Sequence, residues 1–482
     1  MPQNPLGNAG VGKATTILLA LMVACVMFAG CLREETATPR DGPVEGPNEE
    51  PPAVAEEWVH GPGGSPLNES VSDQPTFELR TLAGVRGWEP TIGITASGAI
   101  FLPSLGPAME PLAAAMTHMH LFRSQNEGID WEEITPLVLD QEFPPTMSAD
   151  PYVFVDPVTD RLYVNELRPE CNTLAWSDDE GESWEGNPAA CGNPHEDHPT
   201  LWTGPGTAGA RVLYLCSNQV ATTTCKLSTD GGRTFRLGAP PFLDQSFVDV
   251  CSGGTTGHGM TRPGTATAFI ARALNCESVS EVWIARTTDQ ALTWTSALIP
   301  AASAYGHDVH LAADGAGMVY ALWIDRDSRR PVIIASQDDG LTWSEPVDVS
   351  FPDLDSASHA ALTAGADGRL AWSYLATSTA ADDEWRHYVG MSVDPWLNGS
   401  RFVTVDTAGR PLVQGWTAGE AYNGGVGDFL DIDLMPDGRV VASVVDVCQA
   451  ACVDPGAGRI PSGVVGIVIQ VAGPHPAPRA SA

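Results

Sequence analysis

Five octads of one pattern punctuate the chain: Ser124-Gln-Asn126-Glu-Gly128-Ile-Asp-Trp131, Ser177-Asp-Asp179-Glu-Gly181-Glu-Ser-Trp184, Ser228-Thr-Asp230-Gly-Gly232-Arg-Thr-Phe235, Thr287-Thr-Asp289-Gln-Ala291-Leu-Thr-Trp294 and Ser336-Gln-Asp338-Asp-Gly340-Leu-Thr-Trp343. Their first residues stand 53, 51, 59 and 49 positions apart, the length of one four-stranded propeller blade. The chemistry of the octad is that of a turn. Its hydroxyl and its Asp or Asn accept backbone N–H bonds, glycine at the fifth position permits positive φ, and the closing aromatic packs between strands. These side chains are therefore read as scaffold and not as catalysts. In the fourth copy Ala291 replaces the glycine, so that turn is expected to be distorted.

A polar residue followed by an apolar strand opens each unit. The openings are Trp88-Glu89-Pro-Thr-Ile-Gly-Ile, Asp150-Pro-Tyr-Val-Phe-Val, Asp197-His198-Pro-Thr-Leu-Trp, Gly257-His258-Gly-Met, Gly306-His307-Asp308-Val-His-Leu, Ser358-His359-Ala-Ala-Leu-Thr and Asp428-Phe-Leu-Asp-Ile-Asp-Leu. Seven openings predict an all-β, seven-bladed β-propeller, with six blades as the alternative because the last two units carry no intact octad. The 49 glycines and 39 prolines suit many short strands and tight turns. Phe77–Thr81 forms a lone strand with no blade of its own. An open ring would leave an unpaired edge, so this strand is expected to complete the last blade beside Val464–Gln470.

The octads resemble the Asp-box, or BNR, repeat of the sialidase superfamily and its non-enzymatic relatives. That resemblance implies, for a catalytic member, an Arg-Ile-Pro-like motif, three arginines clamping a substrate carboxylate, a Tyr nucleophile with a Glu partner, and an Asp acid/base. Here the region reads Arg86-Gly-Trp88-Glu89, and no opening begins with arginine. A guanidinium fork is hard to replace on a carboxylate. Tyr422, with Glu420, lies where a late nucleophile would fall.

Outside the propeller the chain divides simply. Residues 1–31 read as a lipoprotein-type signal: an apolar run behind Lys13 ends in Phe28-Ala-Gly-Cys31, which resembles a lipobox with Cys31 as the lipidated residue. The alternative is an uncleaved signal anchor. Residues 32–75 are rich in Pro, Glu and Asp and read as a disordered tether; 76–472 form the propeller, and 473–482 a disordered tail. These features place the body outside the cell, held at the membrane by its lipid. Eight further cysteines then read as disulfides, most simply paired in order: Cys171 with Cys191, Cys216 with Cys225, Cys251 with Cys276, and Cys448 with Cys452. The formal net charge of -35, with Lys13 and Lys226 the only lysines, argues against nucleic acid as a partner. The protein is expected to act as a monomer.

In a propeller the innermost strands converge on one mouth of the central channel, the default ligand site. The expected mouth comprises Trp88, Glu89, Asp150, Asp197, His198, His258, Tyr305, His307, Asp308, His359 and Asp428. Three uses of such a ring compete. His198, His258, His307 and His359 with nearby carboxylates could hold a divalent ion, Ca²⁺ or a transition metal. Glu89, Asp150, Asp428 and Tyr422 are the candidates for glycoside hydrolysis or another hydrolase or lyase reaction. The favoured reading is non-catalytic binding of a carbohydrate or an extracellular protein, with Trp88, Tyr305 and Tyr422 as stacking platforms.

Overall fold

The computed structural model describes residues 59–60, 66–67, 74–107, 117–136, 149–168, 171–187, 190, 196–206, 209–219, 222–242, 257–276, 279–305, 309–378, 384–396, 401–414, 426–448 and 463–478. Cys31, the apolar run before it and most of the expected tether lie outside them. So do Cys191, Cys251, Cys452, His307, Asp308 and Tyr422.

Seven four-stranded antiparallel sheets follow one another in sequence, giving the seven blades expected and excluding six. The inner strands are Gly93–Ile94 in blade I, Ala149–Val155 in II, Asp197–Pro205 in III, Met260–Thr261 in IV, His310–Ala313 in V, Ser356–Ala364 in VI and Ile432–Leu434 in VII. Blade VI gains a short extra strand, Val413–Gln414, paired with Glu384–Ser392. Blade VII is closed as the sequence predicted. Its outer strand is Thr76–Gly87, which pairs antiparallel with Gly463–Ala472 through Phe77 with Gln470, Leu79 with Val468 and Arg80 with Ile467. Gly466 lets the two backbones meet, since a Cβ there would stand 2.6 Å from the Arg80 carbonyl oxygen.

The core lies between blades. Ile100, Leu102 and Phe122 of blade I pack with Val441, Ile467 and Ile469 of blade VII, and similar layers repeat around the ring. Beyond the expected end at 472, the chain stays in contact with blade VI to Pro478. The Ala477 N–H bonds Asp367 Oδ1 at 3.2 Å, and the Pro478 carbonyl accepts the Ala366 N–H at 3.0 Å.

Each octad joins the third and fourth strands of blades I to V, and all five share one hydrogen-bond pattern. Ser124, Ser177, Ser228, Thr287 and Ser336 accept the N–H of the residue four positions on, at 2.8 to 3.0 Å. Asn126, Asp179, Asp230, Asp289 and Asp338 do the same for the next turn, at 2.8 to 2.9 Å. The fourth copy is not distorted, contrary to expectation. Ala291 keeps the bond and adopts φ 55° itself, so the turn survives with strain in place of glycine's freedom.

Arginines tie octads to the preceding blade. Arg80 donates to the Glu127 carbonyl at 2.6 Å, Arg123 to that of Glu180 at 2.8 Å, and Arg236 to that of Gln290 at 2.6 Å. A planar guanidinium suits this work better than an ammonium because it presents several fixed donors. Lys226, by contrast, is buried at 1% exposure. Its ammonium donates to both oxygens of Glu196, at 2.7 and 2.8 Å, and to the Ala190 carbonyl at 2.6 Å.

Candidate functional site at the channel mouth

Four of the seven openings share an unusual backbone. Glu89, Asp150, His198 and His359 sit at φ 59°, 46°, 50° and 53°, the left-handed region that side chains bearing a Cβ adopt only at a cost. In blades II, III and VI the pairing of the inner strand slips at this residue, forming a β-bulge. A bulge breaks the two-residue alternation of the strand and re-aims one side chain. Here the side chains of Glu89, Asp150 and His359 turn toward neighbouring blades, and that of His198 toward blade VII.

Their contacts follow from that turn. Asp150 Oδ2 accepts the His198 N–H at 2.8 Å, joining blades II and III. Glu89 Oε1 accepts the Asp428 N–H at 3.2 Å, joining I to VII, and His359 Nε2 lies 2.8 Å from the Gly427 carbonyl, joining VI to VII. The other nitrogen of His359 is 2.9 Å from Ser358 Oγ. The ring of His198 meets Phe429 edge-on at 5.1 Å. Deeper in the channel, Thr91 accepts the Val153 N–H, Thr200 that of Gly259, and Asp431 that of Ile92. Polar side chains on the inner strands therefore staple adjacent blades, because short inner strands leave backbone donors that only a neighbour can satisfy.

The mouth nevertheless concentrates acid. Glu89, Asp150 and Asp428 each bring a carboxylate oxygen within 4.8 Å of the others. Glu89 is only 7% exposed, and its Oε2 is buried with no hydrogen-bond partner among the described residues. Burial, reinforced by the charges of Asp428 and Asp150, pushes its carboxyl well above the usual carboxylate range. Burial and then the charge of Asp197 push Asp150 up to about 7. Asp197 itself is exposed, and its side chain favours the protonated form of Asp150. Trp88 is half-buried beside this cluster, paired through its backbone with Leu105.

The expected single ring is in fact two clusters at two depths. Glu89, Asp150, Asp197, His198, His359 and Asp428 stand together at the mouth. His258 does not join them. It stacks on His310 with ring centroids 3.9 Å apart and stands 3.9 Å from Asp431, within the channel. Its Nδ1 is 2.9 Å from the Tyr152 hydroxyl. These residues line a central cavity of about 160 Å³. Tyr305 is also no open platform, because the Arg329 guanidinium lies 3.3 Å over its ring. His310, Asp431 and Tyr152 were missed as site residues. A second polar residue three positions after the opening, in Asp428-Phe-Leu-Asp431 and in His307-Asp-Val-His310, is the signal in the sequence.

Of the expected disulfides, Cys216–Cys225 is formed between directly opposed, buried residues of blade III. Cys448 is also disulfide-bonded. Its expected partner, Cys452, lies outside the described residues, and of Cys171 and Cys276 only the backbone is described.

No protein-family model matches the chain. No curated protein matches it either. Among solved structures it is similar to a Hadza microbial sialidase, 17% identical, over 67% of this chain and 66% of that one, with a TM-score of 0.39. The chain thus spans just under two thirds of that sialidase. It is also similar to the α-L-arabinofuranosidase Arb93A from Fusarium graminearum, 12% identical over 70% and 97% of the two chains, with a TM-score of 0.41. A PL25 ulvan lyase, 9% identical over 76% and 93%, has a TM-score of 0.46.

Proposed function

We propose that this propeller binds a neutral or amino-bearing carbohydrate at the channel mouth without cleaving it. The observation that carries this reading is the division of labour among the mouth acids. Glu89 and Asp150 are buried and accept backbone N–H bonds from neighbouring blades, so they serve the scaffold. Exposed Asp197 and part-exposed Asp428 offer acceptors for hydroxyl or ammonium groups, and half-buried Trp88 offers a ring face for stacking. None of the mouth residues named above is an arginine, and a carboxylated sugar would meet like charge there.

A second reading is favoured by one feature. Asp150, held near pH 7 beside exposed Asp197, resembles the acid partner of a glycoside-cleaving pair. Glycan-array binding with the parent chain, Asp197→Ala and Asp428→Ala separates the two. Binding lost in the variants, with no turnover by the parent, is the expected result. Release of reducing ends that Asp197→Asn abolishes would overturn the binding reading.

The same proposal places the body outside the cell, anchored through a lipid on Cys31. The Cys216–Cys225 bond supports an oxidising compartment. Membrane fractionation of Cys31→Ala checks the anchor, which predicts release of the variant from the membrane fraction.

A further inference from the structure

The geometry points to a divalent transition-metal site in the channel, made by His258 of blade IV, His310 of blade V and Asp431 of blade VII. One donor atom from each lies within 4.8 Å of the others. A dication bound at ~2.0–2.2 Å from each ligand would draw the donor atoms together by up to about an ångström or more. Two imidazoles and one carboxylate form a donor set suited to borderline ions such as Zn²⁺, and less to Ca²⁺, which prefers oxygen throughout.

The surroundings are those of an oriented site. With Nε2 of His258 as the ligating nitrogen, Tyr152 from blade II holds the ring through Nδ1 at 2.9 Å, the kind of outer contact that fixes ring orientation in metal centres. Asp431 is aimed by two backbone donors, Ile92 at 3.1 Å to Oδ2 and Ile432 at 2.8 Å to Oδ1. Each of these oxygens retains a further lone pair for a cation. The cavity of about 160 Å³ that these residues line leaves room for water to complete the coordination sphere. An ion here would link three blades across the channel axis, where the staples between adjacent blades cannot reach.

The site is separate from the acidic cluster of Glu89, Asp150 and Asp428, and that separation gives the test its second arm. The full chain, stripped with a chelator, would be titrated with Zn²⁺ by calorimetry, and its metal content measured after dialysis. Co²⁺ substitution would supply a visible spectrum. We expect one ion per chain, a rise in melting temperature on loading, and nitrogen-ligated Co²⁺ bands. His258→Gln and His310→Gln should each weaken binding by at least about 100-fold, and Tyr152→Phe by about 10- to 100-fold. Affinity should fall as pH is lowered, because protons compete with the ion for the imidazole nitrogens. His258 is part-exposed, so His258→Gln should keep its fold, which the melting curve of the metal-free variant checks. Substoichiometric metal in the parent would overturn the proposal. So would stoichiometric binding that survives both histidine changes or is lost instead in Glu89→Gln.

Discussion

Asp150 Oδ2 accepts the backbone N–H of His198 at 2.8 Å, so one side chain of blade II satisfies a donor of blade III at the rim of the channel. Both residues sit at positive φ. The strain of two left-handed residues persists because their contact closes a seam between blades. Asp150→Ala is expected to cost about 1–3 kcal/mol by orphaning that donor, whereas Asp150→Asn keeps an acceptor and should cost less. Denaturant unfolding of the two variants tests the difference.

The pH dependence of the same residue has a definite sign. Asp150 titrates at about 7 when folded against 3.8 in its ordinary state. Between those values the native chain holds a proton that the unfolded chain has released. Its contribution to stability is therefore fullest below pH 3.8, declines as pH rises, and is lost through pH 7. Asp150→Asn removes this titration. Its melting temperature should gain on that of the parent between pH 4 and 7, and parallel profiles would refute the assignment.

Lys226 and Glu196 form a buried pair whose halves depend on each other. Glu196→Ala should cost about 3–5 kcal/mol, because it leaves an ammonium uncompensated inside blade III. Glu196→Leu combined with Lys226→Met should recover most of that loss. A double-mutant cycle by denaturant unfolding measures it, and additive losses would argue against the pair.

Ala291 is an alanine in the left-handed region at a place where four other octads carry glycine. Ala291→Gly should raise stability by about 0.5–1 kcal/mol, less whatever its fully buried methyl contributes. The reverse change in a sister turn, Gly128→Ala, should destabilise, since its Cβ would stand 2.6 Å from Ile467 Cδ1. Thermal melts of the two variants should move in opposite directions.

Closure of the ring by Thr76–Gly87 predicts that deleting residues 76–81 lowers the melting temperature sharply and exposes the edge of Gly463–Ala472 to aggregation. Gly466→Val should produce a milder form of the same defect by pushing the closing strand away. An unchanged melt for the deletion would remove the strand from the stabilising structure.

The octads, the strand openings and the closing strand were legible from the sequence because each depends on local chemistry: a turn needs its acceptors and glycines, and a strand needs its alternation. Blade number followed from counting them. That Glu89, Asp150 and Asp428 come together was also legible, since polar residues at strand starts meet where inner strands begin. The place of the other polar residues along the channel was not. His258 is grouped by its sequence position with Glu89 and Asp150, yet it stacks on His310 in the channel, because blade IV opens with glycine on either side of it and lacks the left-handed residue found in blades I, II, III and VI.

The sequence by itself therefore determined the repeat, the number of blades and the way the ring closes, since these follow from spacing and from backbone needs within a few residues. Only the tertiary structure decided which acids are scaffold and which face solvent, and which histidine meets which carboxylate. Those outcomes depend on bulges and on contacts such as Glu89 with Asp428, residues far apart in the chain that meet only when the last blade returns to the first.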